Sequence, residues 1–353
     1  MKGYGVIKTD QPGWLEKERP VAGPLDAIIR PTVIAPCSSD THFMHGGAGP
    51  MENTILGHEA VGEVVETGEL VRNFKPGDKV VIPCVTPDWT SKYTQLNGKR
   101  NAHDHGMWGS FKLVAAKEGT FAEFFHVNMA DANLVNLPDD VAPEAALMTV
   151  DMMSTGFHAV ELADVGFGET VAVIGIGPVG LMVTAGAQLK GAGRIIVVGT
   201  RPNCVKIARE YGATDVVSYK DGDIVKQVKD LVGGGVDKAI IAGGNAATLT
   251  QAISMVKPGG AVASINYYDT ADTFSIPAPV WGLGMSDIDI RCGFCPGGAA
   301  RIEKLLNLIQ YGRVDPAKLI THRFEGFDKI EDAFLLMDKK TPDLIKPAVF
   351  IKW

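Results

Sequence analysis

Three short segments place metal-binding side chains within the first 151 residues: Pro36-Cys37-Ser38-Ser39-Asp40-Thr41-His42, Gly57-His58-Glu59-Ala60 and Val150-Asp151-Met152-Met153. One thiolate, one imidazole and one carboxylate make the three-ligand set of a catalytic zinc, which keeps its fourth position open for water or substrate. Cys37, His58 and Asp151 are therefore the candidate ligands. They lie far apart in the chain, so a structural role for each stays open, because a lone histidine is more often a packed core or surface residue.

A second chemical signal begins at residue 171. Strand-like VAVI enters Gly175-Ile176-Gly177-Pro178-Val179-Gly180, and helix-like LMVTAGAQLK follows. In such a strand, G-x-G-x-x-G, helix setting the first glycine permits a tight turn and the second lets backbone approach a pyrophosphate. The third packs helix on strand, and the helix N-terminus favours the anion. An ordinary glycine turn is the bland alternative, and the surrounding βαβ rhythm favours the dinucleotide site. An NAD site expects Asp or Glu about 20 residues on, at the adenosine ribose hydroxyls. Here stand Gly199, Thr200 and Arg201. A carboxylate there would repel a 2′-phosphate, whereas a guanidinium makes two charge-assisted bonds to it and a hydroxyl adds another. The pattern predicts NADP over NAD, with Arg201 as a merely solvated cation the alternative. Tyr219, after the third strand, is placed to flank the adenine or phosphate pocket.

The elements that must position these groups follow two rhythms. Residues 1–151 are rich in β-branched residues and turn signals, with strand-like pieces at 27–34, 60–65 and 79–82. From about residue 168 short apolar strands (VAVIG, IIVVG, DVVSY, KAIIAG, AVASI) alternate with helical stretches, which predicts an α/β fold with a parallel, doubly wound sheet. The rhythm stops near 281–296, and IEKLLNLIQYG, IEDAFLLMD and a terminal strand AVFIK follow. The expected organisation is a nucleotide domain, 152–294, inserted between two pieces of one catalytic domain, 1–151 and 295–353.

Composition agrees with two packed cores: 353 residues at 46 % hydrophobic content. A net charge of −7 argues against nucleic acid as a partner. The opening MKGYGVIKTDQPGWLEKE lacks the apolar stretch of a signal peptide, and the apolar run 171–184 is too short and glycine-broken to span a bilayer. Five cysteines, Cys37, Cys84, Cys204, Cys292 and Cys295, make a poor disulfide framework, so a reducing cytoplasm is expected and no membrane.

The sequence resembles the zinc-dependent medium-chain alcohol dehydrogenases, through GHEAVGEVVETG and GIGPVG. Within that family it most resembles the NADP-dependent secondary alcohol dehydrogenases of anaerobic microbes, through PCSSDTH, VPCVTPDW, DMMSTGFHAVELA, GTRP, YGATDVVSY, MVKPGG, PGGAAR, THRFEGF and DLIKP. The likeness runs over essentially the whole chain. It implies a GroES-like catalytic domain around a Rossmann domain. It also implies a zinc held by Cys37, His58 and Asp151, with Glu59 as an exchangeable fourth ligand or a neighbouring carboxylate, and Ser39 and His42 as a proton relay.

Many relatives add a structural zinc on four close cysteines, but residues 83–111 hold only Cys84, so one catalytic zinc and no structural zinc is implied. By the same resemblance Val85, Trp108, Tyr267, Phe294 and Cys295 form an apolar, cation-free pocket for small secondary alcohols and ketones. Phe294 replaces a common leucine and leaves substrate size open. Cys292-Gly-Phe-Cys295 then reads as pocket wall rather than a metal or redox pair, and His103-Asp-His105 as a solvated loop. Asn266 and Lys340 either help hold the cofactor or are ordinary surface groups.

The implied chemistry is hydride transfer between a carbinol carbon and nicotinamide C4 while zinc polarises the substrate oxygen, in a homotetramer. The competing readings are a zinc-free quinone or enone reductase of the same superfamily and a non-catalytic NADP-binding protein.

Overall fold

The computed structural model describes residues 1–47, 49, 51–97, 118–268 and 273–353. Trp108, His103 and His105 lie outside the described residues. The chain divides into two compact units, Met1–Ser154 with Cys295–Trp353, and Thr155–Phe294.

In the Thr155–Phe294 unit six parallel strands form one sheet. In chain order they are Thr170–Ile174, Arg194–Val198, Asp215–Val217, Val236–Ile241, Val256–Ser264 and Asp289–Cys292. Their spatial order is third, second, first, fourth, fifth, sixth, which is the arrangement of dinucleotide-binding sheets. The first strand sits centrally, with Ala172 opposite both Ile196 and Ala239. Its neighbours cover both edges and helices cover both faces, which is why VAVI, IIVV and AII read as unbroken apolar runs and are buried. The helices Pro178–Leu189 and Pro202–Glu210 each open with proline, where the missing N–H is harmless and the fixed φ suits the first turn. The sixth strand lies inside the stretch where the sequence rhythm stops. It is an edge strand with mostly exposed residues, so it lacks the apolar run that marks the other five.

Among the described residues, the other unit holds a seven-stranded sheet and a three-stranded sheet. At the heart of the larger one, Ala27–Ile34 pairs antiparallel with Ala60–Thr67, which pairs with Lys79–Ile82. The strand Lys346–Phe350 joins the other side of Ala27–Ile34, with Val349 opposite Ile34. The chain's end therefore belongs to the same sheet as its beginning. The smaller sheet orders Gln11–Glu16, Lys2–Lys8 and Thr54–Ile55. A helix, Pro143–Met148, passes into a π-helical turn, Thr149–Met153, which carries Asp151. Such one-turn widenings shift a side chain out of α-helical register and are frequent at functional sites. Among the described residues no helix is long and apolar enough to cross a membrane.

Candidate functional site

Cys37 stands immediately before the helix Ser38–Met44, in extended backbone. Asp40, fully buried, folds back and accepts the Cys37 N–H at 2.8 Å and the Gly57 N–H at 3.1 Å. The same carboxylate lies 3.2 Å from His58 Nδ1. Because a carboxylate can only accept, it fixes the proton on Nδ1 and leaves Nε2 for the opposite side of the ring.

Gly57 is required for this turn. Its φ is +94°, and a Cβ there would come within 2.3 Å of the Phe121 ring.

On the Nε2 side, Asp151 Oδ2 lies 3.4 Å and Glu59 Oε1 3.8 Å away. Cys37 Sγ lies 3.7 Å from Asp151 Oδ2. Cys37, His58, Glu59 and Asp151 are all buried, and each offers one ligand atom within 4.8 Å of the others. The three ligands predicted from sequence, Cys37, His58 and Asp151, are thus brought together with Glu59.

Burial alone would disfavour a charged His58, but the Asp40 and Asp151 carboxylates outweigh it and hold the imidazole well above its ordinary value. Burial pushes the Glu59 carboxyl up to about 7, against the pull of Lys346.

Lys346 was not anticipated from sequence. Fully buried, it donates from Nζ to Glu59 Oε1 at 2.5 Å. Burial works against its charge, yet Cys37, Glu59 and Asp151 outweigh that and raise its pKa above the usual value. Glu59 Oε2 has no hydrogen-bond partner among the described residues although it is buried.

The donor set fits zinc on two counts. Sulfur, nitrogen and carboxylate oxygen are the donors zinc takes, and an orphaned buried carboxylate oxygen is costly unless a cation or donor satisfies it.

Ser39 and His42 are one helical turn apart in Ser38–Met44, and both are partly exposed. Ser39 Oγ lies 3.7 Å from Cys37 Sγ. Of the expected pocket residues, Val85 and Cys295 are buried in the first unit. Phe294 is half-buried and Tyr267 exposed in the second. Cys295 does not face Cys292, which is exposed; its sulfur faces that of Cys84.

The second unit contains a cavity of about 570 Å³ lined by Gly175, Ile176, Gly177, Gly199, Thr200 and Arg201, and by Tyr219. Pro178, Val179 and Gly180 open the helix behind the turn. Gly175 has φ +94°, and a Cβ on Gly180 would sit 1.9 Å from the Gly175 carbonyl oxygen, so helix and strand approach as closely as the motif requires. Thr200 Oγ1 donates to the Tyr219 hydroxyl at 2.8 Å. The Arg201 guanidinium lies beside Gly177. Asn266 is near the rim, 3.5 Å from the carbonyl of the cavity-lining Gly244. Lys340 is exposed, at the end of Ile330–Lys339 in the first unit, with a left-handed φ of 51°. Sequence reasoning missed Gly243, Gly244 and Thr248 in this cavity; the only signal was a glycine pair after the fourth strand.

Residues 23–139 match the alcohol dehydrogenase GroES-like domain and residues 178–310 the zinc-binding dehydrogenase family. The chain is 55 % identical to the NADP-dependent isopropanol dehydrogenase of Thermoanaerobacter brockii, over 99 % of this chain and 100 % of that one. The chain belongs to the zinc-dependent medium-chain alcohol dehydrogenases. This dehydrogenase is also 54 % identical to the NADP-dependent isopropanol dehydrogenase of Clostridium beijerinckii, over 99 % of this chain and 100 % of that protein. Among solved structures it is similar to the apo form of zinc dependent alcohol dehydrogenase 2 from Streptococcus pneumonia, with 30 % identity and a TM-score of 0.89 over 100 % and 99 % of the two chains.

Proposed function

We propose that this dehydrogenase interconverts small secondary alcohols and ketones using NADP(H) and one zinc ion per chain. The observation that carries the reading is the buried cluster of Cys37, His58, Glu59 and Asp151, which has the donor types of a catalytic rather than a four-cysteine structural site. The names of the relatives at 55 % and 54 % identity support the alcohol class and the cofactor.

When bound, zinc supplies a Lewis acid that lowers the pKa of a hydroxyl, and the oxidised nicotinamide supplies the hydride acceptor. Cys37, His58 and Asp151 hold the metal. Asp40 keeps His58 in the tautomer that presents Nε2. Lys346 balances the charge of the acidic ligands and holds one Glu59 oxygen, leaving Oε2 as the exchangeable donor. Ser39, beside Cys37, takes the hydroxyl proton, and His42, one turn on and partly exposed, passes it to solvent. Thr200 and Arg201 receive the 2′-phosphate, with Tyr219 flanking it, and the turn 175–180 receives the pyrophosphate. Asn266, at the cavity rim, assists in holding the cofactor. Val85 and Cys295, both buried in the first unit, contribute apolar surface to the substrate wall.

The Thr155–Phe294 unit is accordingly the NADP-binding domain and the remainder the catalytic domain. A homotetramer is part of the reading. Exposed Trp281, Leu283, Met285 and Ile290 on and before the open edge strand support association through that edge. The free cysteines accord with a cytoplasmic location.

The test pairs metal analysis with turnover. Asp151→Ala is expected to abolish zinc retention and NADPH oxidation with acetone while NADPH still binds. Full activity in that variant, or in chelated protein shown to be zinc-free, would overturn the assignment.

A further inference from the structure

Cys84 and Cys295 have no part in the reaction described above beyond the wall position given to Cys295, yet their sulfurs lie 3.3 Å apart. Both side chains are buried, at 0 % and 2 % exposure. Cys84 follows the strand Lys79–Ile82 by two residues and donates its N–H to the Val150 carbonyl at 3.3 Å. Cys295 Sγ lies 3.9 Å from the same Val150 oxygen and 3.6 Å from that of Pro296. Gly298 N–H donates to the Val85 carbonyl at 3.4 Å, so the two cysteine-bearing segments run against each other as backbone. The scaffold therefore holds two thiols face to face in the core.

We propose that Cys84 and Cys295 are an oxidisable dithiol that closes to a disulfide and thereby adjusts the seat of Asp151. A disulfide has sulfurs about 2.05 Å apart, so closure asks each sulfur to move only about 0.6 Å. The oxidant is a peroxide, small enough to reach a buried thiol. The Cys295 sulfur, the less enclosed, attacks the O–O bond to give a sulfenic acid, and its thiol proton passes to the leaving oxygen as one water is released. Cys84 sulfur then displaces the sulfenic hydroxyl, forming the S–S bond and a second water. Two thiols and one hydrogen peroxide become one disulfide and two waters, the sulfurs oxidised and the peroxide oxygens reduced.

The consequence follows from position. An Asp151 carboxylate oxygen lies within 4.8 Å of both sulfurs, and Val150, whose carbonyl both cysteines address, precedes Asp151 in the π-helical turn. Closing the bond moves both sulfurs beside that carboxylate, and the Cys295 sulfur beside that carbonyl, and so shifts the turn that carries a proposed ligand. Cys37 belongs to the other donor group and Cys292 is exposed, so neither substitutes for a member of the pair.

The test uses the full-length, zinc-loaded protein treated with hydrogen peroxide, then alkylated, digested and mapped by mass without reduction. The expected result is a linked peptide pair containing Cys84 and Cys295, two hydrogens lighter than the separate peptides. Activity should fall by about tenfold or more, on the scale of a sub-ångström misplacement, and dithiothreitol should restore it. In Cys84→Ala, and in Cys84→Ser if the alanine variant folds poorly, the link and the reversible loss should both vanish. If both cysteines remain alkylatable while Cys292 oxidises, or if Cys37 is found in the linkage instead, the dithiol is refuted. A link with unchanged activity refutes the coupling to Asp151.

Discussion

The strongest single test of the metal centre's electrostatics is Lys346→Met, which keeps most of the side chain's volume and removes only its charge. Lys346 and Glu59 are both fully buried and bonded at 2.5 Å. At that separation and an effective dielectric of about 20 their attraction is about 7 kcal/mol, most of which offsets the desolvation of two ions. The net worth of the pair is therefore small, but truncating Lys346 leaves Glu59, already raised to about 7, either to take up a proton or to stay buried as an unpaired charge, a loss of up to about 3–5 kcal/mol once the pH is well above 7. Metal-free protein should lose a growing part of that in urea unfolding as the pH rises above 7. The companion variant Lys346→Met with Glu59→Gln removes the stranded charge and should recover more than half of the loss. A single-variant loss under about 1 kcal/mol at that higher pH, or no recovery in the double variant, would refute the reasoning.

Arg201→Asp should raise the NADPH KM about tenfold or more, the scale of one charge-assisted contact of roughly 1.5–3 kcal/mol, with little change for NADH; equal effects on both cofactors would sink the phosphate role. Gly180→Ala forces a Cβ to within 1.9 Å of the Gly175 oxygen, so it should abolish NADPH binding by calorimetry and destabilise the fold by about 1–3 kcal/mol. Asp215 is held down to about 2 by the Arg194 hydrogen bond, below its unfolded value of 3.8. Its contribution is therefore complete above about pH 4 and lost as pH falls through about 2. Asp215→Asn should be less stable than the parent near neutral pH, with the gap closing across that acid window; a constant gap would contradict the linkage.

Much of the second unit was legible because burial on both faces writes itself into sequence. The runs at 171–174 and 195–198, bounded by glycine and alternating with helical stretches, fit covered parallel strands, and the turn that follows Ile174 needs glycine for stated steric reasons. The sixth strand escaped because an edge strand with three exposed residues of four leaves no apolar pattern. In the first unit the short pair Thr54–Ile55 was equally silent, being too brief to show alternation.

The metal cluster was legible only to the extent that its residues carry chemistry in their own names. Cys37, His58 and Asp151 stand out by type, and Glu59 by adjacency to His58. Asp40 and Lys346 do not, because what each does depends on where the chain brings it. In the structure Asp40 caps the first turn of its helix through the Cys37 N–H, while its other oxygen reaches His58 across 18 positions. Lys346 lies in the quoted DLIKP, but nothing in that stretch says it pairs with Glu59, 287 positions away.

The charges explain what such a lysine does. Cys37, Asp40, Glu59 and Asp151 gather four potential anions in a buried space beside the His58 imidazole. Without a bound metal, a buried group of that composition stays ionised only with a further positive charge beside it. A close set of acidic metal ligands thus predicts a buried cation somewhere in the same core. Pair topology, here the antiparallel seating of Lys346–Phe350 beside Ala27–Ile34, decides which one it is.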